Sequence, residues 1–549
     1  MPVIHLFWDE LERLVEKSRD EILDRLPLLG CDIERMDEET VDIEFFPNRP
    51  DLYSIEGVAR ALRGFMDVEK GYRQYEVKSS DWELKVEPPV FEVRPRIVCC
   101  VVRNIRMKDE VIRSLMDVQE DLHWTIGRNR RKMAIGVHDL SKVYFPLRYT
   151  AVDRDYSFVP LDFHNNMSVG EILTDHPKGK DYSFILEGKD KFPMIIDSKD
   201  EAISFPPVIN AEKTRVTEGT TDLFIDVTGF DENVDKALNI LTSMLADRGG
   251  VLEEVKVIYP DRSERTPDLT GKEMNIDKQE VEELLGFELS GEEIKDALEK
   301  MRFGTEVEVD GDSLKVMIPA YRADVLHEWD VIEDIGIGYG YDRIEPEYPP
   351  TTTIGLSHKW NDVKDVAREI MTGLGYMEVI SFTLTNEKMQ YQKMLRETRS
   401  WEHHTPVMHP ITEDHTILRT DILPKLLEIL SMNKHYALPQ RIFEAGDAII
   451  KMENCLKLSA CTTHSKANFA EVRSLVQSFM KELDVRWEVE ESDDGAFISG
   501  RRASIIVNGK EVGVFGELHP QVLNNFYLST PVAGMEINLS AIFDTGKVL

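Results

Sequence analysis

The sequence predicts an α+β protein of several domains, and three observations lead there. At 549 residues the chain outgrows a single hydrophobic core and calls for about three to five domains. Runs rich in Val, Ile and Phe, such as IVCCVVRNI, KMAIGVHDL and DLFIDVTGF, read as strands, interleaved with amphipathic helical runs such as EVIRSLMDVQEDLHWTIG. Polar segments with prolines or little periodicity divide the chain near residues 69–89, 259–267 and 345–353.

These divisions give four segments. Residues 1–89 hold an alternating strand over 41–46, the turn Pro47-Asn48-Arg49-Pro50-Asp51, and a helix over 55–63 with Ser54 at its N-cap, followed by a charged connector. The turn reads as a rigid structural corner. Residues 90–265 read as an α+β module on a mixed or antiparallel sheet, closed by the amphipathic helix VDKALNILTSMLADRGG. Residues 266–350 carry two helical stretches, a short β pair and an acidic helix, the complement of a winged-helix-like unit. Residues 351–549 begin with the helix KWNDVKDVAREIMTGLG and end in a β-rich tail. No repeat of 20 to 50 residues and no low-complexity segment is evident.

Composition narrows the function. The 66 Lys and Arg against 101 Asp and Glu leave a net charge of −35, which argues against a general cationic grip on nucleic acid or an anionic membrane, so RNA contacts must be local or shared. No apolar run reaches the length of a membrane helix, and the acids near the N-terminus do not suit a secretion signal, so a cytoplasmic protein is expected. Five cysteines, Cys31, Cys99, Cys100, Cys455 and Cys461, without a C-x-x-C pair, read as reduced and mostly buried thiols. A phosphate loop, a nucleophile elbow and an H-E-x-x-H zinc helix are absent. The glycines at 336, 338 and 340 end a helix instead of opening one, which does not suit a dinucleotide site. His403, His404, His409 and His415 lack carboxylate or thiolate companions at ligand spacing.

One stretch carries a chemical signal. In YRADVLHEWDVIEDIGIGYGYDRI, Asp330, Glu333 and Asp334 share a helical face, with Asp324 just before the helix. Oxygen ligands on one side of a short element suit a hard cation such as Mg²⁺; a solvated acidic face in an acidic protein is the alternative.

The strings FPNRPDLYSIEGVARALRGF, PAYRADVLHEWDVIEDIGIGYGYDRI, HPITEDHTILRTDILPKLLEILSMNKH, RIFEAGDA and GELHPQVL, in that order over nearly the whole chain, resemble the β subunit of phenylalanyl-tRNA synthetase in its archaeal and eukaryotic form. The resemblance implies a subunit of an (αβ)₂ heterotetramer whose α subunit charges tRNA(Phe) with phenylalanine at the expense of ATP. It makes 90–265 a tRNA-editing module and 351–549 an inactive domain like a class II synthetase catalytic fold. The residues agree with the latter: no G-x-G-x-G-x-E-R stretch for ATP is present, and Gly500-Arg501-Arg502-Ala503 stands in the tail. In RIFEAGDA, Glu444 and Asp447 are expected to support packing.

The resemblance further implies a magnesium site shared with the α subunit, mapped by motif onto Asp324, Asp330, Glu333 and Asp334, and an editing pocket that hydrolyses tyrosine wrongly esterified to tRNA(Phe). An apolar synthetic pocket cannot strongly reject an analogue that only adds a hydroxyl, whereas a second pocket that bonds that hydroxyl can select it. The strings SFPPVIN and DLFIDVTGF resemble the pocket. Asp226 and Thr228, on one face of a strand by alternation, are expected to read the phenol, with Ser204 and Asn210 beside them. No Ser or Cys nucleophile is visible, so a positioned water is expected to attack the ester. Arg128, Arg130, Arg131 and Lys132 form the densest basic run of the module and are candidates to hold the tRNA acceptor end. The competing reading is a scaffold and tRNA-binding subunit whose pocket is dead.

Overall fold

The structure, a computed structural model, describes residues 2–307, 313–349, 353–398 and 403–543. The chain divides into two compact units, Met1–Tyr348 and Pro349–Leu549.

The first unit starts with a three-stranded sheet in the order Val3–Phe7, Thr40–Phe45, Cys31–Met36. Val41, Ile43 and Phe45 alternate into the core while their neighbours face outward, which is the period-2 pattern read from the sequence. The helix Ile55–Phe65 is capped as expected: the Ser54 hydroxyl accepts the Gly57 N–H at 3.0 Å. The corner before it is held by a buried fork, Arg49 donating to both oxygens of Asp51 at 2.9 Å.

A ten-stranded sheet dominates this unit. Its order is Ile209–Asn210, Ala202–Phe205, Phe192–Ile196, Leu147–Val152, Val77–Val86, Val251–Ile258, Arg96–Arg103, Leu223–Gly229, Met133–Asp139, with Ser263–Thr266 paired to Val251–Ile258. Val77–Val86 runs parallel to both neighbours and the other pairs are antiparallel, so the sheet is mixed. The connector expected near 69–89 is therefore largely a strand. Its partners lie far away in sequence, and its half-exposed outer residues blur the alternation by which a strand is recognised.

The helix Asn233–Asp247 lays Val234, Ala237, Leu238, Leu241 and Leu245 onto this sheet. The edge strand Met133–Asp139 is covered differently. Gln119 and His123, one turn apart on the helix Asp109–Trp124, bond its outer backbone: Gln119 Nε2 donates to Ile135 O at 2.8 Å, and Ile135 N donates to His123 Nε2 at 2.8 Å. The opposite end of the sheet curls round to the same strand, Asn210 Nδ2 donating to Val137 O at 3.3 Å.

A further three-stranded sheet, in the order Lys272–Asp277, Ser313–Ile318, Gly304–Val307, packs with the helices Lys278–Leu285, Gly291–Lys300 and Glu328–Tyr339.

The second unit is a seven-stranded sheet in the order Met377–Glu378, Gln440–Ile450, Glu453–Thr463, Val532–Asn538, Lys510–Leu518, Phe497–Val507, Glu488–Glu491. Only the first pair is parallel. Helices Lys359–Gly373, Leu423–Met432 and Phe469–Glu482 pack on it. All five cysteines are buried and unpaired, as the sequence suggests. Among the described residues no helix is long and apolar enough to cross a membrane.

Candidate functional site

Where the two ends of the large sheet meet they leave a cavity of about 400 Å³, within the ~300–1,000 Å³ span of small-ligand sites. Ile112, Met116, Gln119 and Glu120, on one face of the helix Asp109–Trp124, form one wall. Residues 134–137 and Asp226 form the floor, and residues 204–211 with 214–216 close over it.

Asp226 is 1% exposed. It pairs in register with Gly136 on the neighbouring strand, and the missing side chain there gives its carboxyl room. A Cβ at residue 136 would lie 2.2 Å from Asp226 Oδ2. That oxygen is bonded to His138 Nε2 at 2.9 Å, and His138 Nδ1 lies 2.8 Å from Thr214 Oγ1. Ser204 Oγ donates to Asn210 Oδ1 at 3.0 Å, which ties two lining residues to each other.

Asp226, Ser204 and Asn210 are thus brought to one cavity. Thr228 is not: it is 0% exposed and lies under Arg94, whose Nε donates to its hydroxyl at 3.0 Å and whose Nη2 donates to its carbonyl at 2.8 Å. Alternation puts Asp226 and Thr228 on one face, as expected, but two residues along the strand that face is covered by a buried arginine. Burial pushes the Arg94 guanidinium down to about 10, against the pull of Tyr149 and Asp226.

The basic run divides in the same way. Arg128 and Arg131 are exposed, Arg131 near the Phe184 ring, and Lys132 is half-buried and 3.5 Å from Asp231. Arg130 turns inward. It donates to Glu120 at 2.5 Å and to the carbonyls of Pro207 and Val208 at 3.2 Å, and it lies over the Tyr182 ring. Arg130 was expected to hold tRNA, but its side chain is buried, with Nη1 on the loop over the cavity and Nη2 on the Glu120 wall. Burial pushes Glu120 up, but His123 and Arg130 outweigh it and hold its carboxyl at about 2. Burial holds the His123 imidazole down, at about 4.

The acids expected to bind magnesium are arranged otherwise. Arg322, with its side chain 2% exposed, donates to both oxygens of Asp324 and to Asp334. Burial pushes the Asp334 carboxyl up, against the pull of Arg322 and Arg49. Asp330 Oδ2 accepts the N–H groups of Leu326 and His327, each at 2.8 Å, and so caps the helix start. Glu333 is exposed. Among the described residues no group of three or more His, Cys, Asp or Glu side chains is placed to hold a metal ion. Asp324 and Asp334 thus share a buried guanidinium, Asp330 caps the helix start and Glu333 is exposed, so the four acids are not gathered into one cluster within the described residues of this chain. The spacing puts three acids on a helix correctly, but it does not reveal the arginine two residues before Asp324.

In the second unit Glu444 is a buried partner of Arg419, at 2.7 Å, and Asp447 is exposed. Arg501 pairs with Glu517 at 2.7 Å, and Arg502 donates to the carbonyls of Ser492 and Asp494. His404 is buried beside Glu387 at 3.3 Å.

The residues that sequence reasoning missed are His138, Thr214, Gln119, His123 and Arg94. One signal was present for His138: it sits two positions after Gly136 in KMAIGVHDL, so it shares the face of a strand residue too small to fill its place.

Comparison with known proteins extends this picture. Residues 344–539 match the family model described as the phenylalanyl tRNA synthetase beta chain CLM domain, and residues 274–341 match the tRNA synthetase B5 domain. The phenylalanine–tRNA ligase beta subunit of Archaeoglobus fulgidus is 66% identical, over 100% of both chains. That of Methanococcoides burtonii is 50% identical, over 98% of this chain and 100% of its own. A crystal structure of an N-terminal fragment of the Pyrococcus horikoshii phenylalanyl-tRNA synthetase beta subunit, at 37% identity, superposes with a TM-score of 0.60 over 62% of this chain and 100% of the fragment. End-to-end likeness at this level, together with both domain matches, places the chain in the phenylalanine–tRNA ligase beta-subunit family.

Proposed function

We propose that this chain works with an α subunit as phenylalanine–tRNA ligase in an (αβ)₂ heterotetramer, and that its own chemistry is hydrolysis of tyrosine misattached to tRNA(Phe). The observation that carries the second part is the 400 Å³ cavity with Asp226 on its floor. Its walls combine apolar side chains with a few fixed polar groups, the mixture needed to admit an aromatic side chain and then demand a hydroxyl from it. Asp226 is the group for the phenol or for the attacking water, Ser204 and Asn210 line the same space, and Arg128 and Arg131 are the exposed cations beside the module for a phosphate backbone. The buried Thr228 supports the floor through Arg94.

In this proposal ATP and magnesium belong to the charging reaction of the α subunit. Of the acids at 324, 330, 333 and 334, three are engaged within this chain and Glu333 is exposed. The seven-stranded sheet of the second unit, whose Arg501 and Arg502 are tied up within the protein, supports a scaffold role without adenylate chemistry. A cytoplasmic setting follows from the task of protein biosynthesis.

Incubating Tyr-tRNA(Phe) with the assembled wild-type enzyme and with an Asp226→Ala form tests this. The wild type should deacylate it on the order of 100-fold faster than the variant, the scale of losing one well-placed charged group. Equal, background-level loss in both favours the reading of a scaffold and tRNA-binding subunit.

A further inference from the structure

Asp226 does not stand alone on the cavity floor. His138 is 0% exposed and Thr214 is 1% exposed, and together with Asp226 they form a chain of carboxylate, imidazole and hydroxyl with links of 2.9 and 2.8 Å. His138 is not among the residues lining the cavity, so it meets Asp226 from behind. Its ring packs against Phe224 at 5.9 Å between centroids.

The pattern of donors selects one tautomer. The Thr214 hydroxyl has one hydrogen and two acceptors within reach, His138 Nδ1 at 2.8 Å and Ala211 O at 3.3 Å. The shorter contact favours Nδ1, which leaves the imidazole hydrogen on Nε2, aimed at Asp226 Oδ2. A buried cation faces the same carboxyl: Arg94 is 1% exposed, has no carboxylate among its hydrogen-bond partners, and is pulled upward by the charge of Asp226. Asp226 Oδ1 has no hydrogen-bond donor among the described residues, so it is the oxygen left for whatever enters the cavity.

Resting on the editing reading, we infer that His138 and Thr214 are positioning residues for ester hydrolysis: Thr214 fixes the Nε2–H tautomer of His138, which holds the Asp226 carboxylate over Gly136 with its second oxygen turned to the bound aminoacyl ester. No bond to substrate forms at either residue. This is the logic by which a buried partner orients a catalytic group in acyl transfer, with the carboxylate in front and the imidazole behind.

The test is Tyr-tRNA(Phe) deacylation by the enzyme assembled with its α subunit, with turnover and KM measured separately. Gln at 138 can still donate to Asp226, and Ser at 214 keeps the hydroxyl, so His138→Gln and Thr214→Ser should stay within about threefold of wild type. His138→Phe and Thr214→Val remove one link each at similar volume and should lose about 10- to 100-fold in turnover with KM little changed. Formation of Phe-tRNA(Phe) and the unfolding midpoint serve as controls for folding. Equal losses for Gln and Phe at 138, or full activity for Phe and Val, overturn the inference while leaving editing intact. A wild-type enzyme that deacylates no faster than buffer overturns the editing reading and this inference with it. Should His138→Phe not fold, the Ser and Val forms at 214 decide alone.

Discussion

Gly136→Ala probes the candidate site without removing a polar group. The added Cβ would lie 2.2 Å from Asp226 Oδ2, 2.8 Å from His138 Nε2 and 3.0 Å from Asp226 Cγ. An unstrained carbon-to-oxygen contact is about 3.3 Å or longer, so the carboxyl must retreat by roughly 1 Å or break from His138. Misplacement on that scale costs a reacting group about 100-fold in rate. The cost in stability is smaller: overpacking takes about 1–3 kcal/mol, and replacing a strand glycine by alanine returns about 0.5–1 kcal/mol. Single-turnover deacylation of Tyr-tRNA(Phe) by the assembled enzyme reads the first effect, and urea unfolding of the variant reads the second. A Gly136→Ala enzyme that deacylates at the wild-type rate, in a fold of unchanged stability, would refute the assignment, because no geometry leaves Asp226 in its present place beside that methyl group.

Three further outcomes are expected. Arg322→Met leaves Asp324 and the buried Asp334 without their counter-ion and should destabilise the first unit by about 3–5 kcal/mol in urea unfolding, while chelator or added magnesium should leave the midpoint of the wild-type chain unmoved. In the second unit burial pushes Glu536 up to about 7 from its usual 4.5, against the pull of Lys457, and Asp421 beside the same lysine is held below its usual range although burial opposes this. Because the folded value of Glu536 exceeds the unfolded one, its stabilisation is complete below about 4.5 and is lost as pH rises through about 7; calorimetric midpoints should therefore fall between about pH 5 and pH 8 in wild type and stay flatter in Glu536→Gln. The Asp421 contribution is lost only in stronger acid, outside that window. Lastly, the isolated chain should bind tRNA(Phe) far more weakly than the assembled enzyme at equal salt, as filter binding can check, since a chain of net charge −35 supplies few free phosphate contacts.

Much of the fold is legible in local pattern. The strand 40–45 and the Ser54 cap follow from alternation and from a hydroxyl one residue ahead of a helix, both of which are properties of neighbours in sequence. The strand Val77–Val86 is not legible, because what makes it a strand is parallel pairing with residues more than 60 positions away. The candidate site divides along the same line. Asp226 was visible as a charged residue inside an apolar strand. Its support was visible only in the Gly136–His138 spacing along one strand, since these residues and Thr214 reach Asp226 through register and loop closure, and register is set by the whole sheet.

The arginines explain why motif spacing alone reads each of the three proposed sites imperfectly. Arg94, Arg130 and Arg322 are each buried, and each uses its fork on an internal acceptor: a threonine under the cavity floor, the loop above the cavity, and a pair of acids beside the helix Glu328–Tyr339. Most donors of these guanidinium groups are met by well-placed oxygens, although Arg94 Nη1, Arg130 Nε and Arg322 Nη1 find no partner among the described residues, and each arginine engages residues that would otherwise be free to meet a ligand. Thr228, Arg130 itself, Asp324 and Asp334 already have internal partners in this way, whereas Asp226, opposed by a glycine and backed by a histidine, keeps one oxygen uncommitted. A residue of the right type at the right spacing becomes a candidate site only where no buried ion has claimed it, and among the polar residues around this cavity Asp226 meets that condition.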